Sequence, residues 1–111
     1  MKLPAESIIA ESKITRYLLV SQSRGDKSAF LRRAGYSQEN AEALLEDLRA
    51  QILPLDATPL EANEFGQYHE IRGALRGPNG ATLTVRTIWM TERLTGATKF
   101  ITLIPDEPRR L

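Results

Sequence analysis

Leu75-Arg76-Gly77-Pro78-Asn79-Gly80-Ala81-Thr82 is the stretch that decides how this chain folds. Within its tetrapeptide 77–80, proline holds φ at about −65° and glycine admits positive φ, the two requirements of a hairpin loop between antiparallel strands. On its N-terminal side residues 67–76 alternate with the two-residue period of a strand. On its C-terminal side Ala81 to Met90 is rich in threonine, valine, isoleucine and tryptophan, the side chains that suit a pleated surface. A second turn through Leu94-Thr95-Gly96 leads into a last strand, Thr98 to Ile104, which Pro105 stops. Upstream of the hairpin, Pro54 and Pro59 bracket an irregular connector, residues 61–64 read as a short strand, and Gly66 reads as a turn or bulge.

Further toward the N-terminus the period changes from strand to helix. Ala41, Leu44, Leu45, Leu48 and Ile52 form one stripe behind Ser37, which predicts a helix over 38–52 with Ser37 as its cap. Ser12 stands before Ile14, Tyr17 and Leu18 and reads as the cap of a short helix over 13–20, ended by Ser21-Gln22-Ser23-Arg24-Gly25. Asp26 reads as the cap of another over 27–34, with Phe30, Leu31 and Ala34 on its apolar side and Gly35 closing it. Helices followed by strands predict an α+β fold: N-terminal helices packed on one face of a three- to four-stranded antiparallel sheet, the other face open to solvent or a partner.

At 111 residues the chain has room for one hydrophobic core, so a single domain over 1–111 is expected, ordered over about 3–105 with a frayed tail at 106–111. Its 41% apolar and 26% charged residues belong to a folding chain. No cysteine and one histidine, His69, exclude disulfides and thiolate metal sites, and no metal or other cofactor is expected. Neither a signal-peptide stretch nor about 18 consecutive apolar residues occurs, so no membrane segment is expected and the cytoplasm is the default location. A contact-delivered fragment of a larger protein would read the same way. The net charge of +1 is too small to announce a strongly basic nucleic-acid binder. Arg24, Lys27, Arg32 and Arg33 nevertheless cluster in the second helical segment, while Glu39, Glu42, Glu46 and Asp47 load the third.

Lys27 falls in a first helical turn, where a cation is disfavoured. With Arg24 and Gly25 it could form an anion site for a phosphate; the plain alternative is a solvated lysine. Tyr68, Glu70, Arg72 and Arg76 share one side of their strand, opposite His69, Ile71 and Leu75. That side suits phosphodiester chemistry, with Glu70 as base and Arg72 or Arg86 stabilising charge, and equally suits an ordinary solvated sheet face. His69 reads as a hydrogen-bonded histidine of the apolar side. On the return strand Leu83, Val85, Thr87 and Trp89 oppose Thr84, Arg86, Ile88 and Met90, without revealing which set faces the core. On the last strand Phe100, Thr102 and Ile104 oppose Lys99, Ile101 and Leu103 by strict alternation, and Trp89 and Phe100 read as core aromatics.

Four stretches together resemble a bacterial family of small domains of unknown function: Ile14-Thr15-Arg16-Tyr17-Leu18-Leu19; Gly25-Asp26-Lys27-Ser28-Ala29-Phe30 running on to Ala34-Gly35-Tyr36; Tyr68 with Leu75-Arg76-Gly77-Pro78-Asn79-Gly80; and Val85-Arg86-Thr87-Ile88-Trp89 with Phe100-Ile101-Thr102-Leu103-Ile104-Pro105. That family is similar in turn to the barnase–EndoU–colicin–RelE-like ribonuclease toxins, which set N-terminal helices against a four-stranded antiparallel sheet. The resemblance implies metal-independent RNA cleavage, the 2′-hydroxyl attacking the adjacent phosphate. It assigns charge stabilisation to Lys27 and Arg86, phosphate or base binding to Thr102 and Thr87, and proton transfer to Tyr68 or Glu70. Two residues typical of such toxins are replaced: Ile104 stands where an aromatic precedes Pro105, and Asp26 stands where a histidine precedes the lysine. Implied partners are RNA and a small antitoxin or immunity protein. Two other readings stand beside this one: a non-catalytic protein-binding module, and a homodimer paired through an exposed sheet edge.

Overall fold

The computed structural model describes residues 1–19 and 27–106. The expected Asp26 cap, the stop at 21–25 and the tail beyond 106 lie outside the described residues.

Three helical segments precede four strands. The first, α1, is Glu11–Lys13 continued by a wider turn over Ile14–Leu18 that closes with Leu19 N donating to Ile14 O, five residues back. It starts one residue before Ser12, on Ala10 with no side-chain cap, so Ser12 is not the N-cap. Glu11 in the first turn complements the positive end of the backbone dipole instead. Next, α2 spans Lys27–Arg32, and Gly35 at φ +94° ends that segment. The third, α3, is Ala41–Asp47, entered through a tight turn at Gln38–Asn40 and continued by a second wide turn over Leu48–Ile52. At its start Ser37 N donates to Asn40 Oδ1 at 2.7 Å, satisfying a backbone donor.

The strands β1 (Thr58–Ala62), β2 (Gly66–Arg76), β3 (Thr82–Glu92) and β4 (Thr98–Pro105) form one antiparallel meander in that order. The first strand lies earlier than 61–64, because Asn63 makes the turn: its Oδ1 accepts from Phe65 N at 2.9 Å and Gly66 N at 3.2 Å. Pro59 is tolerated inside β1 because β1 is an edge. Gly66 is itself a ladder residue, paired with Glu92, at a point where a Cβ would lie 2.1 Å from Thr91 O. The 77–80 loop connects β2 to β3 with Gly80 at φ +89° and seats on the end of the α2 segment; a Cβ on Gly77 would lie 2.0 Å from Ala34 O.

All three helical segments pack on one sheet face. Ile14, Leu18, Leu31, Leu44, Leu48 and Ile52 meet Ile71, Leu75, Leu83, Val85, Trp89, Phe100 and Leu103 in one fully or almost fully buried core. Tyr36 is buried with them, its hydroxyl donating to Asp47 Oδ2 at 2.6 Å and lying 3.1 Å from Arg76 O, and burial together with the Asp47 contact pushes its pKa up. These contacts orient β3, whose ambiguous register is now explicit: Leu83, Val85, Thr87 and Trp89 face the helices.

Strict alternation fails on β4. Ile88 is opposite Thr102 while its neighbour Trp89 is opposite Phe100, so Ile101 is an extra residue without a β3 partner, a β-bulge. Phe100 and Leu103 therefore both point into the core, three positions apart, and Thr102 and Ile104 share the opposite face with Arg86 and Ile88. The outer edge of β4 is partly covered by the N-terminal segment, where Ile8 N donates to Thr98 O and Phe100 N to Ile8 O, each at 2.8 Å. Every residue of β1 is exposed.

Candidate functional site

The bulge settles which expected site residues can meet. With Thr102 turned away from the helices at the β4 edge, the first residue of α2 reaches it: Lys27 Nζ donates to Thr102 Oγ1 at 2.7 Å, joining residues 75 positions apart. The same ammonium lies 3.3 Å from the Tyr17 hydroxyl and 5.0 Å above its ring, a hydrogen bond and a cation–π contact at once. Lys13 lies 5.9 Å from that ring from within α1. Tyr17 keeps 40% of its surface. Hydrogen bonding from Lys27, then from Thr102, and then the nearby positive charge hold its phenol below the ordinary value.

Beside this cluster on the open face lies an ion network. Glu70, Ile88 and Thr102 occupy one cross-strand row, and Arg72, Arg86 and Ile104 the next. Arg86 and Thr102 are thus diagonal neighbours, roughly 7–8 Å apart by sheet geometry. Arg72 and Arg86 stand directly opposite each other, and Glu70 bridges them. Its Oε1 accepts from Arg72 Nε at 2.6 Å, and its Oε2 accepts from Arg86 Nε at 3.1 Å and from Nη2. Only 11% of the Glu70 side chain is exposed. Hydrogen bonding from Arg86 first, and then from Arg72, holds its carboxyl below the usual range. A carboxylate so stabilised is a poor proton acceptor, and it holds the Arg86 guanidinium toward β2.

This network has a pH signature. A carboxyl with a depressed folded pKa contributes stability that is present above its ordinary value of 4.5 and is lost as pH falls through the lowered one. Glu70→Gln is therefore expected to be less stable than the wild type at pH 7, with the gap closing as pH falls below about 4.5; urea titrations at a series of pH values check this.

The other expected residues stand apart from Lys27 and Thr102. Thr87 is fully buried on the core face, where its Oγ1 donates to Ile71 O at 3.0 Å and accepts from Trp89 Nε1 at 2.8 Å. It supports the tryptophan, and no open surface reaches it. Tyr68 is on the open face but lines a groove of about 260 Å³ at the turn end of the sheet, with Phe65, Met90, Leu94 and Lys99. His69 is buried among the strands with Nε2 3.2 Å from Thr91 Oγ1, and burial lowers its pKa. The proposed contributions of Arg24 and Gly25 fall outside the described residues.

Tyr17, which helical spacing sets beside Ile14 and Leu18, is the component to which no chemical role was assigned from sequence. It stands in the first resembling stretch, on an α1 turn, and only the tertiary fold brings its hydroxyl to Lys27, ten residues on. Among the described residues no group of three or more His, Cys, Asp or Glu side chains could hold a metal ion. Among them, too, no helix is long and apolar enough to cross a membrane.

A family model described as a domain of unknown function, DUF6883, matches residues 2–107. No curated protein matches the chain. Among solved structures, the fold is similar to a chain described as part of a contact-dependent growth inhibition toxin–immunity protein complex from Klebsiella pneumoniae 342, with a TM-score of 0.64. The two are 19% identical, and the match covers 90% of this chain and 100% of that one. At that identity the likeness is one of fold.

Proposed function

Because the chain belongs to the DUF6883 family of domains of unknown function and has the fold of a chain from a growth-inhibition toxin–immunity complex, we propose that it acts in a toxin system as a metal-independent ribonuclease. The observation that carries this reading is the Lys27–Thr102 hydrogen bond at the open edge of the sheet. It sets a cation and a hydroxyl side by side on the face that also bears Arg86. A phosphodiester lying along β4 would have Lys27 on one side and Arg86 on the other, so that charge developing on the phosphorane is met from both. Thr102 would orient a phosphate oxygen. Attack by the ribose 2′-hydroxyl would leave a 2′,3′-cyclic phosphate and a 5′-hydroxyl, with no metal ion in the reaction.

Induced expression in bacteria is the direct test. Growth arrest is expected together with RNA fragments that carry cyclic phosphate ends, and with a purified RNA oligonucleotide Thr102→Ala should cut roughly tenfold to a hundredfold more slowly, the value of one hydrogen bond to a charged group, about 1.5–3 kcal/mol. Unchanged growth with intact RNA would overturn the reading.

That negative result would favour a second reading, to which one observation points. Phe65 and Leu94, in neighbouring turns, keep 65% and 98% of their surface and border the groove that holds Tyr68. Exposed apolar side chains beside a groove suit a small protein partner of the immunity type. The uncovered β1 edge would suit a second copy of the chain.

A further inference from the structure

Cleavage of the kind proposed above needs a group that takes the 2′-hydroxyl proton, and the residues expected for that task are ill placed. Glu70 is held as a stabilised carboxylate between two guanidinium groups. Tyr68 lines the groove at the turn end of the sheet, and His69 is buried among the strands. What stands in hydrogen-bond contact with Lys27, and so beside any phosphate Lys27 holds, is a phenol.

We propose that Tyr17 is the general base of the Lys27–Thr102 site, its phenolate oxygen accepting the proton of the attacking 2′-hydroxyl. The inference rests on the ribonuclease reading and names a catalytic residue within it. In this step the 2′-oxygen forms its bond to phosphorus as its proton passes to the Tyr17 oxygen. The bond from phosphorus to the 5′-oxygen then breaks, and the departing oxygen takes a proton from water. The resulting hydroxide recovers the proton from the Tyr17 phenol, and charge and atoms balance.

The geometry supports this in three ways. The Tyr17 oxygen is 3.3 Å from the Lys27 ammonium that Thr102 orients, so proton acceptor and phosphate-binding cation are held as one unit. Tyr17 keeps 40% of its surface, so the site is open to a substrate. Every described group that shifts its titration by charge or hydrogen bonding favours the phenolate: Lys27 from α2, Thr102 from β4 and Lys13 from α1. A phenol needs such help to serve as a base near neutrality, because a catalytic pKa works best near the operating pH.

The test compares wild type, Tyr17→Phe and Lys27→Ala, each as the full chain, on an RNA oligonucleotide and on the same oligonucleotide with 2′-deoxyribose at the cleaved position. Tyr17→Phe is expected to slow cleavage by roughly 10²–10⁴-fold, the usual worth of a positioned acid or base, while binding the uncleavable oligonucleotide as well as the wild type does. The wild-type rate should rise with pH and level off below the ordinary tyrosine value of 10.0, and Tyr17→Phe should lose that limb. Ultraviolet titration should show one tyrosine ionising early, absent in Tyr17→Phe and shifted upward in Lys27→Ala. Wild-type rates and an unchanged pH profile in Tyr17→Phe would overturn Tyr17 as base and leave the ribonuclease standing. A wild type that binds RNA and leaves it intact would overturn both.

Discussion

Trp89→Ala is expected to lower the unfolding free energy by about 3–5 kcal/mol, the cost of deleting a large aromatic from a packed core. Trp89 is fully buried and meets the edge of Phe100 with ring centroids 5.3 Å apart at 73°, a pairing that adds to the area it buries. Its indole N–H is satisfied by Thr87, which in turn holds Ile71 O across to β2, so Ile71 on β2, Thr87 on β3 and Phe100 on β4 are tied together through this side chain. Domains of this size are stable by about 5–15 kcal/mol, so the loss removes about a fifth of the total or more. Urea denaturation followed by far-ultraviolet circular dichroism gives the value, since Trp89 is the chain's one tryptophan and its fluorescence disappears with it. Trp89→Phe should lose much less, because most of the ring volume stays.

Lys27→Ala carries the largest functional effect among the phosphate-binding residues. Removing the ammonium takes away the donor to Thr102 and the cation above Tyr17 together. A loss of about 10²–10³-fold in single-turnover RNA cleavage is expected, as for removal of one preorganised charge-stabilising donor. The fold should barely change, since a half-exposed lysine at a sheet edge typically contributes within about 0.5–1 kcal/mol. Lys27→Arg should restore the rate only in part. A planar guanidinium cannot place one compact charge between a hydroxyl and a phenol as an ammonium does.

What the residues disclosed in advance follows from the range over which each signal acts. The 77–80 loop and the α3 stripe are written in neighbouring residues, and both elements form where their spacing implies. The sides of β2 were legible for the same reason. On β3 alternation sorted Leu83, Val85, Thr87 and Trp89 together but could not orient them, because both sets mix polar with apolar residues. Only contact with the helices orients them, and it takes Thr87 into the core, away from Lys27. On β1 a proline read as part of a connector turned out to lie inside an edge strand, where its missing donor costs nothing. Lys27 was named from its place in a first helical turn, and Thr102 through resemblance. Their meeting depends on the bulge at Ile101, which arises from how β4 fits against β3 and leaves no mark in local composition. Tyr17 was read only as part of the apolar stripe of a short helix, because a half-exposed aromatic there has no local signature of chemistry.

That irregularity at Ile101 has a consequence for how this surface tolerates change. A perfectly pleated β4 would force a choice: either Phe100 faces the core, or Leu103 does so with Thr102 presented on the outer face, never both. One uncounted residue lifts the choice by shifting the phase of everything that follows it. Position 101 thus works as a spacer, where the size of the side chain is negotiable and the number of residues is not. Swapping Ile101 for another residue should leave Thr102 beside Lys27, whereas one added residue between Thr102 and Leu103 would put the core and the sheet's outer face out of step.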